Sequence, residues 1–296
     1  MRIALATCAA LPDGWPDDHI LAGALRDRGA EAEFAIWDDD AVDWSRFDLV
    51  MVRSTWDYTG RREEYLGWAH SLDGALHNPG PLLEWNTDKG YLADLAAAGV
   101  RTVPTHYIAP GDPAPELEGE VVVKPTVSAG ARDTGRFGPG LHDRARELIA
   151  RIGAGGRTAM VQPYLPAVEE LGETSIVAFD AAESHVLRKR AVLAADEIAP
   201  LHEGAITAAA VMFDPELVGP GEADDAEREL ASTVLEELIR RFSTPPLYAR
   251  IDMIRGPEGE PVLLELEASE PTLYLATQPG SESTLAEAIV ERAAAG

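Results

Sequence analysis

The run YARIDMIRGPEGEPVLLELE, residues 248–267, fixes its own backbone path more tightly than any other stretch of the chain. Two β-rich segments flank GPEGE, a turn signal, so the run predicts a hairpin. A turn centred between Glu258 and Gly259 pairs Asp252 with Glu265 and Arg250 with Glu267. Side chains alternate along a strand, so all four charges share one face, and Ile251, Met253, Leu264 and Leu266 take the other. Like charges placed opposite one another destabilise a sheet, and three carboxylates beside a single arginine therefore invite a cation. All three are oxygen donors with no His or Cys nearby, a set that suits magnesium rather than zinc or copper. A solvated edge hairpin, with Arg250 neutralising Glu267, is the other reading.

Upstream, IALAT, a helix near 18–29, AEFAIW, FDLVMVR and a helix near 61–72 alternate strand and helix, the pattern of a parallel sheet with helices on its faces. Residues 2–7 are thus read as a first strand and not as a secretory leader, since only Arg2 precedes the apolar run. HNPGPLLEW punctuates the chain, and we place a domain boundary there, near residue 83. The units are then 1–83 and 84–296. A helix opens near Asn86 or Thr87, either of which suits an N-cap, and ends at Gly99. EVVVKP is a short buried strand, SAGARDTGRFGPG a loop, and TAMVQPYL a further strand. Two more strands, a helix near 222–241, the hairpin and a closing helix follow.

With 51 acidic and 25 basic side chains the chain carries a net charge of −26. Nucleic acid and anionic lipid surfaces are poor partners for such a chain. No segment approaches the ~20 apolar residues that cross a bilayer. Cys8 is the only cysteine, so no internal disulfide can form, and a cytoplasmic protein with a small-molecule partner is the expectation. The acidic triplet Asp38–Asp40 reads as a solvated turn.

The basic residues comprise 22 arginines and three lysines, Lys89, Lys124 and Lys189. Codon bias explains why lysine is rare but not where it survives. Lys124 ends an apolar strand immediately before small residues, a setting in which backbone N–H groups and a point charge can approach phosphate. No G-x-x-x-x-G-K-[ST] or G-x-G-x-x-G pattern is present. Gln162-Pro163-Tyr164-Leu165 follows a strand where proline removes a donor. Either an adenine-reading hinge or a linker fits it, with Glu169 and Glu170 within reach of ribose.

Taken in order, NTDK, VVVKP, VQPYL, LRKR, YARIDM and LLELE resemble the ATP-grasp superfamily of carboxylate–amine ligases, over roughly residues 75–296. The resemblance implies a mixed α/β (α+β) chain with the ATP-grasp fold. A Rossmann-like pre-ATP-grasp unit would precede central and C-terminal subdomains, with a lid at about 100–165. It implies that Lys89 and Lys124 contact the α- and β-phosphates of ATP and that Ser128, Ala129, Gly130 and Ala131 close over them. Gln162, Pro163, Tyr164 and Leu165 would read adenine, and Glu169 would hold ribose. Lys189 or Arg190 would face the γ-phosphate, and Arg250 would steady the transferring group. Asp252, Glu265 and Glu267 would hold two Mg²⁺ ions. Many members have E-x-N where this chain has E-x-E, which leaves open whether Glu267 ligates one ion or both.

Within the superfamily, MRIALATC, RSTWDY and LELEASEP resemble the O-ureido-serine cyclo-ligases of D-cycloserine biosynthesis. That implies an amino-acid-like substrate, O-ureido-D-serine, whose ATP-activated carboxylate is attacked by its own ureido nitrogen. Carbon dioxide and ammonia would leave, with ADP and phosphate. Arg53, Ser54 and Asp57, at the C-terminal edge of a strand, are the candidate substrate contacts. A capping loop with Trp56 and Tyr58 at an interface is the alternative. An intermolecular amino-acid or peptide ligase and a nucleotide-binding regulator without turnover are the competing functions, and a homodimer is left open.

Overall fold

The computed structural model describes residues 1–72, 74–129, 132–191 and 217–295; Gly130 and Ala131 of the expected phosphate loop lie outside the described residues. The chain is α/β, and its described residues form three sheets. The first comprises β1 (Arg2–Thr7), β2 (Glu31–Ile36), β3 (Leu49–Ser54) and β4 (Leu76–His77), all parallel, in the order β2-β1-β3-β4. Ile3, Leu5, Leu49 and Met51 enter one apolar cluster, and Ala4, Ala6, Val50 and Val52 another. Period-two alternation thus buries both faces, as a parallel sheet covered by helices requires. The flanking helices include α1 (Pro16–Asp27) and α2 (Arg62–Ser71).

The stretch read as punctuation is instead a helix, α3 (Gly80–Asn86). Pro81 stands in its first turn, where a missing N–H forfeits no intrahelical bond. Asn86 and Thr87 therefore finish α3 and do not cap the next helix, α4 (Tyr91–Ala97), which Gly90 precedes.

The second sheet is antiparallel, with β5 (His106–Ile108), β6 (Val121–Pro125), β7 (Gly135–Phe137) and β8 (Ala159–Pro163) in the order β5-β8-β6-β7. Its core is shared with α5 (His142–Ala154). β7 corrects the reading of 128–140 as all loop: Phe137 is fully buried, and a Cβ at Gly135 would meet its ring at 2.7 Å. Glycine permits the strand to lie that close.

The third sheet holds β9 (Glu173–Phe179), β10 (Ala182–Lys189), β11 (Val218–Pro220), β12 (Tyr248–Arg255) and β13 (Pro261–Glu267), in the order β11-β10-β9-β12-β13. The remaining helices described are α6 (Ala167–Leu171), α7 (Asp225–Phe242) and α8 (Ser281–Ala295). Reciprocal side-chain bonds between Asp224 and Glu227, each 2.9 Å, cap α7. Such a cap contributes about 1 kcal/mol.

In the β12–β13 hairpin, Arg250 pairs with Glu267 and Asp252 with Glu265, as expected from the turn, but Met253 pairs with Leu263. Leu264 is an extra residue, a β-bulge, and the pairing from there to the tip is displaced by one. The opposite face accordingly takes Leu263, packed with Ile251, Met253 and Leu266. Leu264 was expected on that face; it joins the side of the carboxylates, beside Tyr164, Val168 and Ile254.

Candidate active site

A cavity of about 310 Å³ opens between the second and third sheets, with the loop after β3 and the segment after β13 closing one end. All three lysines of the chain line it. Lys89, in the α3–α4 link, donates to the Ser128 carbonyl at 2.9 Å and pairs with Glu265 at 3.1 Å. Lys189, at the end of β10, pairs with Asp252 at 2.8 Å and Glu173 at 3.3 Å. Burial disfavours charge on Lys189, but the facing carboxylates outweigh it and raise its pKa. Lys124 differs. It is 9 % exposed, and no hydrogen bond or ion pair holds its ammonium among the described residues. Burial accordingly lowers its pKa, with Glu265 pulling the other way. An unpartnered ammonium facing a cavity is a standing demand for an anion.

On the facing hairpin, Arg250 is 1 % exposed and donates to Asp252 at 2.9 Å, to the Thr272 carbonyl at 2.9 Å and to Glu267. Burial works against ionisation of Asp252, yet Arg250 and Lys189 hold its carboxyl well below the usual carboxylate range. Glu265 is held down likewise by Lys89 and Lys124 against burial. For Glu267 burial wins over Arg250, with Asp252 and Glu265 adding repulsion, and its pKa is pushed up to about 7.

Asp252, Glu265 and Glu267 all line the cavity. Each is engaged by a lysine or arginine, and among the described residues no three His, Cys, Asp or Glu side chains stand ready-made around a metal position. The donor chemistry still fits a hard divalent ion: three carboxylates on one strand pair, facing one cavity, with neighbouring ammonium groups that phosphate can draw away.

Ser128 and Ala129 line the cavity, as do Gln162, Pro163, Tyr164 and Leu165. The Gln162 side-chain amide donates to Thr105 at 2.9 Å. Val103, Val168, Ile254 and Leu264 complete an apolar wall there. Glu169 is not part of the lining; its carboxylate accepts from Tyr164 at 3.1 Å and pairs with Arg136 at 2.8 Å. Glu173 is the acid that reaches the cavity instead. Arg190 lines it from an exposed position.

The three expected substrate contacts stand elsewhere. Arg53 is buried and spent on Asp18 at 2.8 Å, Asp17 at 3.9 Å and the Pro271 carbonyl at 3.2 Å. Ser54 donates to Asp18. Asp57 accepts from Trp37 at 2.9 Å and Arg61 at 2.8 Å. The same loop does reach the cavity, through Trp56 and Tyr58, and Arg132, between β6 and β7, bonds Thr59 at 3.0 Å. Asp38 of the acidic triplet is paired with Arg61 at 2.6 Å.

Sequence reasoning missed the segment after β13, where four successive carbonyls each accept a side-chain donor from another part of the fold. Glu270 receives Trp56 at 3.2 Å, Pro271 receives Arg53, Thr272 receives Arg250, and Leu273 faces His185 at 2.9 Å. Glu270, Thr272 and Tyr274 thereby line the cavity from a fixed backbone.

Comparison with known proteins agrees with this geometry. The ATP-grasp fold recurs in the RimK domain protein ATP-grasp of Sphaerobacter thermophilus, at a TM-score of 0.65 and 16 % identity, covering 98 % of this chain and all of that one. The crystal structure of D-cycloserine synthetase DcsG superposes with a TM-score of 0.86 at 33 % identity, covering 99 % of this chain and all of the other. Residues 3–78 match the family model of the DcsG N-terminal domain. The cycloserine biosynthesis protein DcsG of Streptomyces lavendulae is 34 % identical over 287 residues, 92 % of each chain. The chain belongs to the DcsG family of ATP-grasp ligases, and it is an ATP-dependent ligase. Among the described residues no helix is long and apolar enough to cross a membrane.

Proposed function

We propose that the enzyme cyclises O-ureido-D-serine to D-cycloserine at the expense of ATP. The observation that carries the ATP half of this reading is Lys124: a buried ammonium without an acceptor among the described residues, in a cavity that also collects the chain's other two lysines. The names of the two DcsG relatives support the product.

Lys89, Lys124 and Lys189 would bind the triphosphate, and the apolar wall from Val103 to Leu264 would take adenine. Asp252, Glu265 and Glu267 would hold magnesium, in our reading two ions, supplying positive charge to the phosphate oxygens. Arg250, fixed on three sides, can attract the substrate carboxylate and the transferring phosphoryl group without reorganising. A carboxylate is a poor electrophile; transfer of the γ-phosphoryl to its oxygen releases ADP and gives an acyl phosphate. The substrate's own ureido nitrogen then attacks the acyl carbon, the C–O bond to phosphate breaks, and a five-membered ring closes. Hydrolysis of the remaining carbamoyl group yields carbon dioxide and ammonia. Positioning and charge neutralisation carry most of such a reaction, and a closed lid keeps water from the acyl phosphate.

The test is incubation with ATP, Mg²⁺ and O-ureido-D-serine, with phosphate measured alongside mass spectrometry of the products. ADP, phosphate and cycloserine should appear in equal amounts without an added amine. An unchanged O-ureido-D-serine pool would overturn the assignment, and phosphate release only on adding a second amino acid would point to an intermolecular ligase.

A further inference from the structure

Among the described residues five carboxylates line the cavity: Glu173, Asp252, Glu265, Glu267 and Glu270. Four of them are neutralised by Lys189, Lys89 or Arg250. Glu270 is the exception. Among the described residues it forms no ion pair with a lysine or arginine: the hydroxyls of Ser269 and Tyr58 bond it, and Lys89, itself paired with Glu265, acts on it only from a distance. We propose that Glu270 is the specificity residue that receives the α-ammonium group of the substrate.

The inference deepens the reading given above and rests on it, because it takes the cavity to be where an amino acid's carboxylate is activated. In an α-amino acid the ammonium lies one carbon from the carboxylate, so the two binding groups must be neighbours. Glu270 meets that condition. Glu267 precedes it and Thr272 follows it, and both bond Arg250. Its backbone is also held. Pro271 restricts the preceding residue to extended conformations, and the carbonyls of Glu270 and Pro271 are bonded to Trp56 and Arg53. Burial raises the Glu270 pKa, with the Ser269 and Tyr58 hydroxyls and, more weakly, Lys89 opposing. A cation brought by the ligand removes that penalty, whereas a ligand bearing a hydroxyl at the same carbon does not. Trp56 and Tyr58, from the loop after β3, wall the same corner.

The experiment measures binding, by calorimetry on the ADP·Mg²⁺ complex, of O-ureido-D-serine, D-serine and the hydroxy acids that replace their α-amino groups. The native enzyme should prefer each amino acid over its hydroxy counterpart by about tenfold to a hundredfold, the scale of a charge-assisted hydrogen bond. Glu270→Gln should bring that ratio close to one while ADP affinity stays unchanged, and Glu270→Asp should keep part of the preference. A native enzyme without the preference, or a Glu270→Gln enzyme that retains it, overturns the proposal. Turnover of O-ureido-D-serine by the native enzyme is scored separately. Its absence alongside an intact amine preference would discard the cyclisation and leave Glu270 in its role.

Discussion

Two buried arginines, Arg53 and Arg250, sit in nearly the same chemical surroundings. Each faces two carboxylates, and each donates to a carbonyl of the same short segment, Pro271 for one and Thr272 for the other. The difference lies on the far side of the carboxylates. Asp17 and Asp18 belong to the first turn of α1 and do not line the cavity, whereas Asp252 and Glu267 do. A buried ion pair is therefore not evidence of a site by itself, since the same chemistry can simply join elements. What makes Arg250 a working group is that its partners have a second surface to offer.

The largest effect should come from Asp252→Asn. Phosphate release should fall about 10³-fold, as when a group stabilising transition-state charge is lost, while the protein remains folded by circular dichroism. Near-native turnover would reduce Arg250 and its partners to the status of Arg53. The reciprocal variant is Arg53→Met, which strands Asp17 and Asp18. Denaturant unfolding should register a loss of about 3–5 kcal/mol, with phosphate release per folded molecule retained. If activity fell and stability held, the comparison would be reversed.

Lys124→Met sharpens the contrast from the cationic side. Calorimetry should show ATP affinity reduced about tenfold to a hundredfold, and the ligand-free protein should melt higher because a buried, unpartnered ammonium has gone. The smallest effect concerns the fourth donor to the segment, His185. Burial lowers its pKa below the ordinary 6.5, with the Leu273 carbonyl opposing. The unfolded chain thus binds the proton at higher pH than the folded one, so stability is lost as pH falls through about 6.5. The raised Glu267 pKa acts in the opposite sense over the same range. The difference in melting temperature between the native protein and His185→Gln, followed from pH 8 to pH 5.5, is therefore the measurement that isolates the slope: the native protein should lose more on acidification than the variant.

The three lysines and the hairpin carboxylates were legible in the sequence because their meaning is local: a charge ending an apolar run, or alternating on a strand, has few places to point. The alternating elements of residues 2–72 were legible for the same reason, their period fixing both type and face. Arg53 was not. An Arg-Ser pair at a strand end reads the same whether a ligand or Asp18 awaits it, and Asp18 lies 35 residues away in sequence. β7 escaped because a three-residue strand that itself begins with glycine carries no periodicity. For Glu270 a signal existed, the Glu-Pro dipeptide following an acidic strand. It specifies an extended backbone but says nothing about which side chains will bond its carbonyls.

The bulge at Leu264 leaves one side chain of the hairpin outside the pairing scheme on both sides of it. Asp252 still meets Glu265 and Met253 still meets Leu263 whatever stands between those two partners. Position 264 is thus free to vary in size and shape beneath the apolar wall of the cavity while the acidic residues keep their places. A lineage of ligases, or an engineer, can retune what that wall accepts there without touching the chemistry next door.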